Sequence, residues 1–310
     1  MAQTAPNRTL TGIPGIRVGH ATVPGGGSGC TAIVGPFRAA VRVTGMATGT
    51  RELGTLDPEH LVPEATALVF SGGSAYGLAS AHGVMAWLAE QGMGFPTGAD
   101  VVPIVPAAIL YDLRPDRSRP DASTGFAAAS AATDAPVPEG RVGAGTGATV
   151  GKLGGSSMPG GIGSWLVEMG DYKVAGLAAV NALGDVLDGE GRIVAGARGP
   201  DGAFLDGSRL LRSSPPDDLV HQGNTTLCAV ATDAPASQAD LYRILRMAVG
   251  AMPRRIRPVN TPFDGDVVFA LAPSREVADL SDRAVMALGD AAREALEESI
   301  TRAVLPEEGR

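Results

Sequence analysis

The segment His221-Gln222-Gly223-Asn224-Thr225-Thr226-Leu227-Cys228-Ala229-Val230-Ala231 runs from a glycine-bearing loop straight into an apolar, β-prone stretch. The Thr225 hydroxyl therefore stands where loop becomes buried strand. Two fates are open to it. Thr225 and Thr226 can form a polar start to the strand, with Asn224 making the turn. Alternatively, the Thr225 hydroxyl attacks the Asn224 carbonyl, an N-to-O acyl shift gives an ester, and hydrolysis of the ester leaves Thr225 as a new N-terminus. A free α-amine titrates at about 7.7–8.0, so it could take the proton from its own residue's hydroxyl without a histidine.

Other residues offer partners for such chemistry. Lys152 ends the glycine-permissive run Gly143 to Gly151, where small apolar neighbours give it no easy route to water. Burial there would lower its pKa into general-base range. Asn181 sits at a turn after an apolar strand, where its amide can make the turn or donate to an oxyanion. Asp264 and Asp266 flank a glycine just before another apolar run. They form either a solvated turn or a neighbouring pair of negative charges able to hold an amine or a lysine. Tyr111 ends an apolar stretch and is a boundary residue or a hydroxyl facing a cleft.

Several familiar alternatives fail on spacing. The four histidines, His20, His60, His82 and His221, fall in no motif with Ser or Cys and a carboxylate, so a Ser-His-Asp triad is not indicated. Ser71-Gly72-Gly73-Ser74 links a strand to a helix, but Tyr76 stands where a nucleophile elbow after Ser74 requires glycine. In the run ending Gly151-Lys152, Thr146 and Leu153 occupy the positions that a phosphate-binding loop fills with Gly and Ser/Thr, and Val150 replaces the third glycine of the dinucleotide pattern. Cys30 and Cys228 have no metal-ligand or disulfide spacing. No metal or organic cofactor is expected.

The elements needed to position these residues can be traced along the 310-residue chain. Short strands are predicted around residues 15–20, 31–34 and 40–43, then a buried strand over 65–70 and a helix running to about Gln91. An irregular or edge strand follows between Val101 and Leu113, interrupted by prolines. A helix is expected over Ser123 to Thr133, and strands over 173–180, 226–231 and 267–271. Ser237 with Asp240 forms a capping box for a helix carrying Leu241, Ile244 and Leu245, and a final amphipathic helix spans 281–304. Residues 188–222, rich in Gly, Asp, Pro and Ser, read as an exposed linker suited to cutting or movement.

With 44% hydrophobic residues, 43 Gly and 23 Pro but only 4% aromatics, the 310-residue chain predicts a folded protein, one large domain or two ordinary ones, with an aliphatic core and many turns. A net charge of −8 without a basic cluster argues against nucleic acid or an anionic membrane as partner. No apolar run reaches membrane-span length, and the first residues lack a secretory pattern, so a cytoplasmic location is the expectation.

Six segments occur together in order: Ser71 to Leu78, Pro103 to Asp112, Gly143 to Lys152, Ala179 to Asn181, Gly223 to Ala234, and Thr261 to Asp266. As an ordered set they resemble the self-processing L-aminopeptidase/D-esterase family, which includes β-peptidyl aminopeptidases and nylon-oligomer hydrolases. The likeness spans about Ile13 to Ala272. It implies an α+β fold, an αββα sandwich of the N-terminal-nucleophile type also seen in ornithine acetyltransferase, formed by residues 1–310 as a single domain. It further implies self-cleavage between Asn224 and Thr225 into chains 1–224 and 225–310 that stay associated. By this resemblance Thr225 is the nucleophile of an aminopeptidase or amidase, Asn181 an oxyanion donor, and Lys152, Asp264 and Asp266 the network that activates and orients it. Tyr111 matches a substrate-side tyrosine. The implied substrate is a small peptide or amide, nylon-type oligoamides included, and the implied assembly is a homo-oligomer, a tetramer of processed units. Asp264-Gly265-Asp266 stands where β-peptidyl members carry Ser and Glu, which by this resemblance places the chain nearer the nylon-hydrolase-like, threonine-nucleophile branch, and Asn260 replaces an expected His before Thr261. An acyltransferase resembling ornithine acetyltransferase and a catalytically silent scaffold of the same fold are the alternatives.

Overall fold

A computed structural model describes residues 6–62, 64–115, 118–213, 223–273 and 276–305. The main sheet strands are β1 (Arg17–Thr22), β2 (Gly29–Val43), β3 (Gly49–Arg51), β4 (Glu64–Ser71), β5 (Ala107–Ile109), β6 (Gly161–Met169), β7 (Tyr172–Asn181), β8 (Thr225–Thr232) and β9 (Val267–Ala272). They are hydrogen-bonded in the order β6-β7-β8-β9-β2-β4-β5-β3, with β1 on β2. β8 runs parallel to β9 and β4 to β5, while the other pairings are antiparallel.

Strict alternation along the strands divides the interior into layers. On β7, β8 and β9, Leu177, Leu227, Phe269 and Leu271 point into a central core shared with Ile33, Leu68 and Phe70 of β2 and β4. Their neighbours Val174, Cys228, Val230 and Val268 face the opposite way. There they pack beneath helices α4 (Gln238–Ala248) and α5 (Asp282–Arg302). Cys30, Ala32 and Val34 of β2 instead pack under α1 (Ala79–Glu90) and α2 (Ala122–Ser130). Beyond an irregularity between Val34 and Phe37, Ala40 of the same strand belongs to the layer beneath α4 and α5. A single long strand thus serves both halves of an αββα sandwich.

The expected strands over 31–34 and 40–43 are one continuous 15-residue strand, because the chain passes Gly35-Pro36 with an irregularity in register instead of a turn. β5 lies between β4 and β3 rather than at a free edge. The Ser237–Asp240 capping box forms, Ser237 Oγ accepting from Asp240 N–H at 3.1 Å. The described part of the expected linker is structured. It holds an antiparallel pair, Asp185–Leu187 with Ile193–Ala195, and a short helix α3 (Gly207–Ser213). The Asp185 carboxylate ties this segment down by accepting from Ala197 N–H at 2.9 Å and Gly207 N–H at 2.8 Å. Residues 214–222, including His221 and Gln222, lie outside the described residues. No helix among the described residues is long and apolar enough to cross a membrane.

Candidate active site

Thr225 opens β8, all of whose residues are buried, and it pairs in register with Asn181, the last residue of β7. On the other side of β8, the residues leading into β9 bring Asp264 and Asp266 alongside. The chain just after β2 fixes this approach: Thr44 and Gly45 N–H donate to the Asp266 carbonyl, and Ala47 N–H to that of Asp264. Gly45 has to be glycine, because a Cβ there would lie 2.2 Å from the Asp264 carbonyl oxygen. Lys152 is delivered by backbone pairing of Gly151 and Lys152 with Gly184 and Leu183. The residues expected to act together, Thr225, Lys152, Asn181, Asp264 and Asp266, are therefore brought to one place by three strand ends and one loop.

The Asn224–Thr225 peptide bond is the centre of the arrangement. Thr225 Oγ1 lies 2.5 Å from the Asn224 carbonyl oxygen and donates to it. The Gly265 N–H donates to the same oxygen at 2.7 Å. This carbonyl is thus already polarised by a backbone donor, as an oxyanion would be. The sequence offers no side chain to mark that donor; its only trace is the glycine between two aspartates. A Cβ at residue 265 would lie 2.7 Å from Thr225 Oγ1, so the missing side chain leaves the hydroxyl its space.

One residue upstream, the Gly223 carbonyl oxygen accepts from Lys152 Nζ at 3.3 Å and from Asn181 Nδ2 at 3.4 Å. Lys152 Nζ also donates to Asn181 O at 3.0 Å and Asn181 Oδ1 at 3.1 Å. The second bond of the Asn181 amide goes to Tyr111 O at 2.9 Å, and Thr149 N–H donates to Asn181 Oδ1 at 3.0 Å. The Asn181 amide accordingly faces the Gly223 carbonyl, one residue before that of Asn224.

Burial lowers the Lys152 pKa from 10.5 to about 7, although the charges of Asp264, Asp112 and Asp266 pull it upward. Burial raises both Asp264 and Asp266, and for Asp266 the neighbouring Asp264 charge adds to the effect. The Asp266 carboxylate is held by Thr226 N–H at 2.6 Å and Asn260 N–H at 3.1 Å, and Asp264 by Thr261 N–H at 2.7 Å. A buried amine lowered to about 7 thus stands beside two carboxyls whose pKa values burial raises, a setting suited to moving the proton of a hydroxyl nucleophile. Asn260 adopts φ 56°, a left-handed conformation that asparagine tolerates, and its backbone N–H is what reaches Asp266.

Two cavities meet at the Gly223–Tyr111 contact. One, of about 360 Å³, faces Thr225 and is walled by Ala47, Ser74, Ile109, Tyr111, Pro262 and Phe263. The other, of about 320 Å³, is polar and includes Asp112, Thr149, Lys152, Ser157 and Asn181. Tyr111 lines both, and Ser74 is part of the wall of the first. Asp112 is a site neighbour that sequence reasoning did not single out. Among the described residues, no group of three or more His, Cys, Asp or Glu could hold a metal ion.

A family model described as "Peptidase family S58" matches residues 8–309. An uncharacterized aminopeptidase of Mycobacterium tuberculosis (strain ATCC 25618 / H37Rv) is 38% identical over 290 residues, covering 85% of this chain and 81% of the relative. The 6-aminohexanoate-oligomer endohydrolase of Kocuria sp. (strain KY2) is 31% identical over 271 residues, covering 83% of this chain and 73% of that protein. Among solved structures, the L-aminopeptidase D-Ala-esterase/amidase of Ochrobactrum anthropi, described as a variant of the Ntn hydrolase fold, superposes with a TM-score of 0.72 at 20% identity, covering 98% of this chain and 87% of that one. A Burkholderia sp. beta-aminopeptidase gives 0.71 at 22% identity, with 98% and 88% covered.

Proposed function

Because the chain belongs to peptidase family S58 and is therefore a hydrolase of peptide or amide bonds, we propose that it matures by cutting itself at Asn224–Thr225 and then uses Thr225 as an N-terminal nucleophile. The observation that carries this reading is the shared Asn224 carbonyl oxygen, held by the Gly265 N–H while Thr225 Oγ1 lies against it.

In the first half of the cycle, Thr225 Oγ attacks the Asn224 carbonyl carbon and its proton passes to the Lys152/Asp264/Asp266 group. The negative oxygen rests on the Gly265 N–H. The C–N bond breaks as the nitrogen takes up a proton, giving an ester, and water then releases the Asn224 carboxylate and a free Thr225 amine. In the second half, that amine assists the hydroxyl in attacking a substrate amide. An acyl-Thr225 ester forms, the amine product leaves, and water hydrolyses the ester. Asn181, whose Nδ2 lies 3.4 Å from the Gly223 carbonyl oxygen, supplies an amide donor to the oxyanion, and Lys152, brought by burial to about 7, takes up and returns the proton beside the nucleophile. Tyr111 borders the bound acyl group.

The two products, 1–224 and 225–310, form one domain and stay together, since β8 lies between β7 and β9 in the middle of the sheet. The substrate class is a small peptide or amide, oligoamides of the nylon type among the candidates, and the processed units assemble as a homo-oligomer. Mass spectrometry of the denatured, purified protein tests the reading: fragments ending at Asn224 and starting at Thr225 are expected, with Thr225→Ala remaining whole and inactive. An active wild-type preparation that stays uncut overturns it.

A further inference from the structure

The Asn181 amide can donate into the site only if it is held one way round, and the groups that hold it sit on two separate segments. Its Nδ2 donates to the Tyr111 carbonyl oxygen at 2.9 Å, while its Oδ1 accepts from Thr149 N–H at 3.0 Å and Lys152 Nζ at 3.1 Å. Turned over, the amide would set its NH2 against the Thr149 N–H and its oxygen against the Tyr111 carbonyl, two mismatches at a residue only 1% exposed. With one N–H spent on Tyr111, a single N–H is left to face the site.

Asp112 joins the two holding segments. It directly follows Tyr111 and is 8% exposed. Its Oδ1 accepts from Gly73 N–H at 2.7 Å, which anchors the Tyr111 segment to the turn after β4. Its Oδ2 lies against Gly147, two residues before Thr149: a Cβ on Gly147 would stand 2.4 Å from Oδ2 and 2.1 Å from the Gly27 carbonyl oxygen. On the other side, a Cβ on Gly72 would stand 2.5 Å from Oδ2 and 2.2 Å from Ser28 Oγ. The carboxyl is therefore wedged between the turn after β4 and the glycine run that leads to Thr149 and Lys152. Oδ2 has no hydrogen-bond partner, and neither has Ser28 Oγ. An unmatched buried oxygen costs stability, which argues that this carboxyl does more than hold the fold.

We propose that Asp112 is a positioning residue for the Asn181 amide: by bracing the Tyr111 carbonyl on one side and the Thr149 N–H on the other, it keeps the free Asn181 N–H turned toward the reacting carbonyl. The inference rests on the reading in which Thr225 is the nucleophile and Asn181 the oxyanion donor. In this role the Asp112 carboxyl touches no reacting atom, and its effect passes wholly through Asn181.

The test is a double-variant cycle on self-processed protein, with turnover of alanine p-nitroanilide taken per processed β chain at each variant's optimal pH. Removing an oxyanion donor costs about 100- to 1,000-fold in kcat, the loss expected of Asn181→Ala. Asp112→Ala, which frees the amide to turn, should lose roughly 100-fold in kcat with KM little changed. Asp112→Asn keeps an acceptor for Gly73 N–H and puts an NH2 beside the Gly27 carbonyl and Ser28 Oγ, so it should restore most of kcat. Asp112→Ala/Asn181→Ala should fall within about twofold of Asn181→Ala alone, because the second change removes what the first one misplaces. Losses that multiply in the double variant, an Asp112→Asn protein as slow as Asp112→Ala, or wild-type kcat in Asp112→Ala each overturn the proposal. Asp112→Ser, shorter but still polar, takes the place of the alanine variant if that one does not fold. Acid-quenched mass spectrometry of the wild-type β chain keeps the underlying reading separate: an acyl group on Thr225 leaves that reading standing whatever the cycle gives, and product formed with Thr225 unmodified sinks the reading itself.

Discussion

The Gly265 N–H lies 2.7 Å from the Asn224 carbonyl oxygen, while a Cβ on Gly265 would come within 2.7 Å of Thr225 Oγ1 and 3.0 Å of the Ala47 carbonyl oxygen. One glycine thus supplies the donor for the Asn224 carbonyl and the space for the Thr225 hydroxyl, the two groups that the proposed self-cleavage brings into reaction. Gly265→Ala should keep the fold, which the flanking strands hold, but displace the hydroxyl by a few tenths of an ångström or more. Misplacements of about 1 Å at a reacting centre cost roughly 100-fold. Self-cleavage measured from freshly folded protein should slow by at least tenfold on this scale, with an unchanged circular dichroism spectrum. Cleavage at the wild-type rate would remove Gly265 from the mechanism.

The pH dependence of self-cleavage should follow Lys152. Its pKa falls from 10.5 to about 7 on folding, so the neutral amine, the form able to accept the Thr225 proton, is scarce below that value and dominant above it. The rate should therefore rise with pH up to about 7 and then level off, falling again where the raised Asp266 carboxyl, near 8, loses its proton if that proton is needed for the leaving nitrogen. Lys152→Met should cut the rate by roughly 100-fold or more, within the range general-base catalysis supplies. A pH-independent rate between 5 and 8 would assign the base elsewhere.

The same burial also sets a stability trend with pH. Lys152 binds its proton more weakly in the folded chain than in the unfolded one, so stability contributed by this residue rises between about pH 7 and its unfolded pKa of 10.5. Asp266 acts oppositely: its raised pKa favours folding most below the ordinary carboxylate range and loses that advantage up to about pH 8. Urea midpoints of Thr225→Ala, which cannot process itself, should accordingly pass through a minimum near pH 7–8, shallower in Thr225→Ala/Lys152→Met above pH 8.

Much of this was legible because apolar runs next to chemically loaded residues are local signals. Thr225, Lys152, Asn181 and the Asp264/Asp266 pair each sit where a glycine-rich or polar turn meets a buried strand, and the structure brings them together. What could not be read is carried by groups the sequence does not mark. The Gly265 donor belongs to the backbone. The direction of the Asn181 amide depends on Tyr111, 70 residues away, whose carbonyl it engages. Residues 188–213 look like a linker because they are rich in Gly and Asp, yet one of the aspartates just before them, Asp185, binds two of their N–H groups and so turns a polar stretch into folded structure. β2 was split in two by Gly35-Pro36, which the sheet absorbs as an irregularity.

The helical layer over β2 and β4 depends on two reciprocal glycines. A Cβ on Gly83 of α1 would lie 1.7 Å from the Ala122 carbonyl oxygen, and one on Gly125 of α2 would lie 1.9 Å from that of Ser80. Neither contact can be relieved by a side-chain rotation, because both partners are backbone. Gly83→Ala must therefore push the helices apart and open the layer that Val84, Leu88, Ala128 and Ala129 fill. A loss of about 3 kcal/mol, at the upper end of overpacking costs, is expected in urea unfolding. A change below about 0.5 kcal/mol would show that the helices can separate freely.

Glu297 ties α5 to the segment that precedes the Asp264 loop. It is 5% exposed and holds Arg255 at 3.1 Å and Arg254 at 2.5 Å, with Arg293 of its own helix hydrogen-bonded to Oε1. Removing the carboxylate leaves Arg255, whose side chain is 13% exposed, with its charge buried and unanswered, whereas Arg254, at 63%, can turn to water. The cost of breaking a buried ion pair from one side is about 3–5 kcal/mol, and the exposure of Arg254 puts the expected loss for Glu297→Ala near the lower figure. Arg254→Ala should cost less than about 1 kcal/mol, as for a surface pair. Because α5 covers β7 and β8 from outside without touching the Thr225 hydroxyl, Glu297→Ala that has folded at low temperature should still cleave itself at Asn224–Thr225. An uncut but folded Glu297→Ala protein would mean that this charge cluster shapes the site as well as the helix.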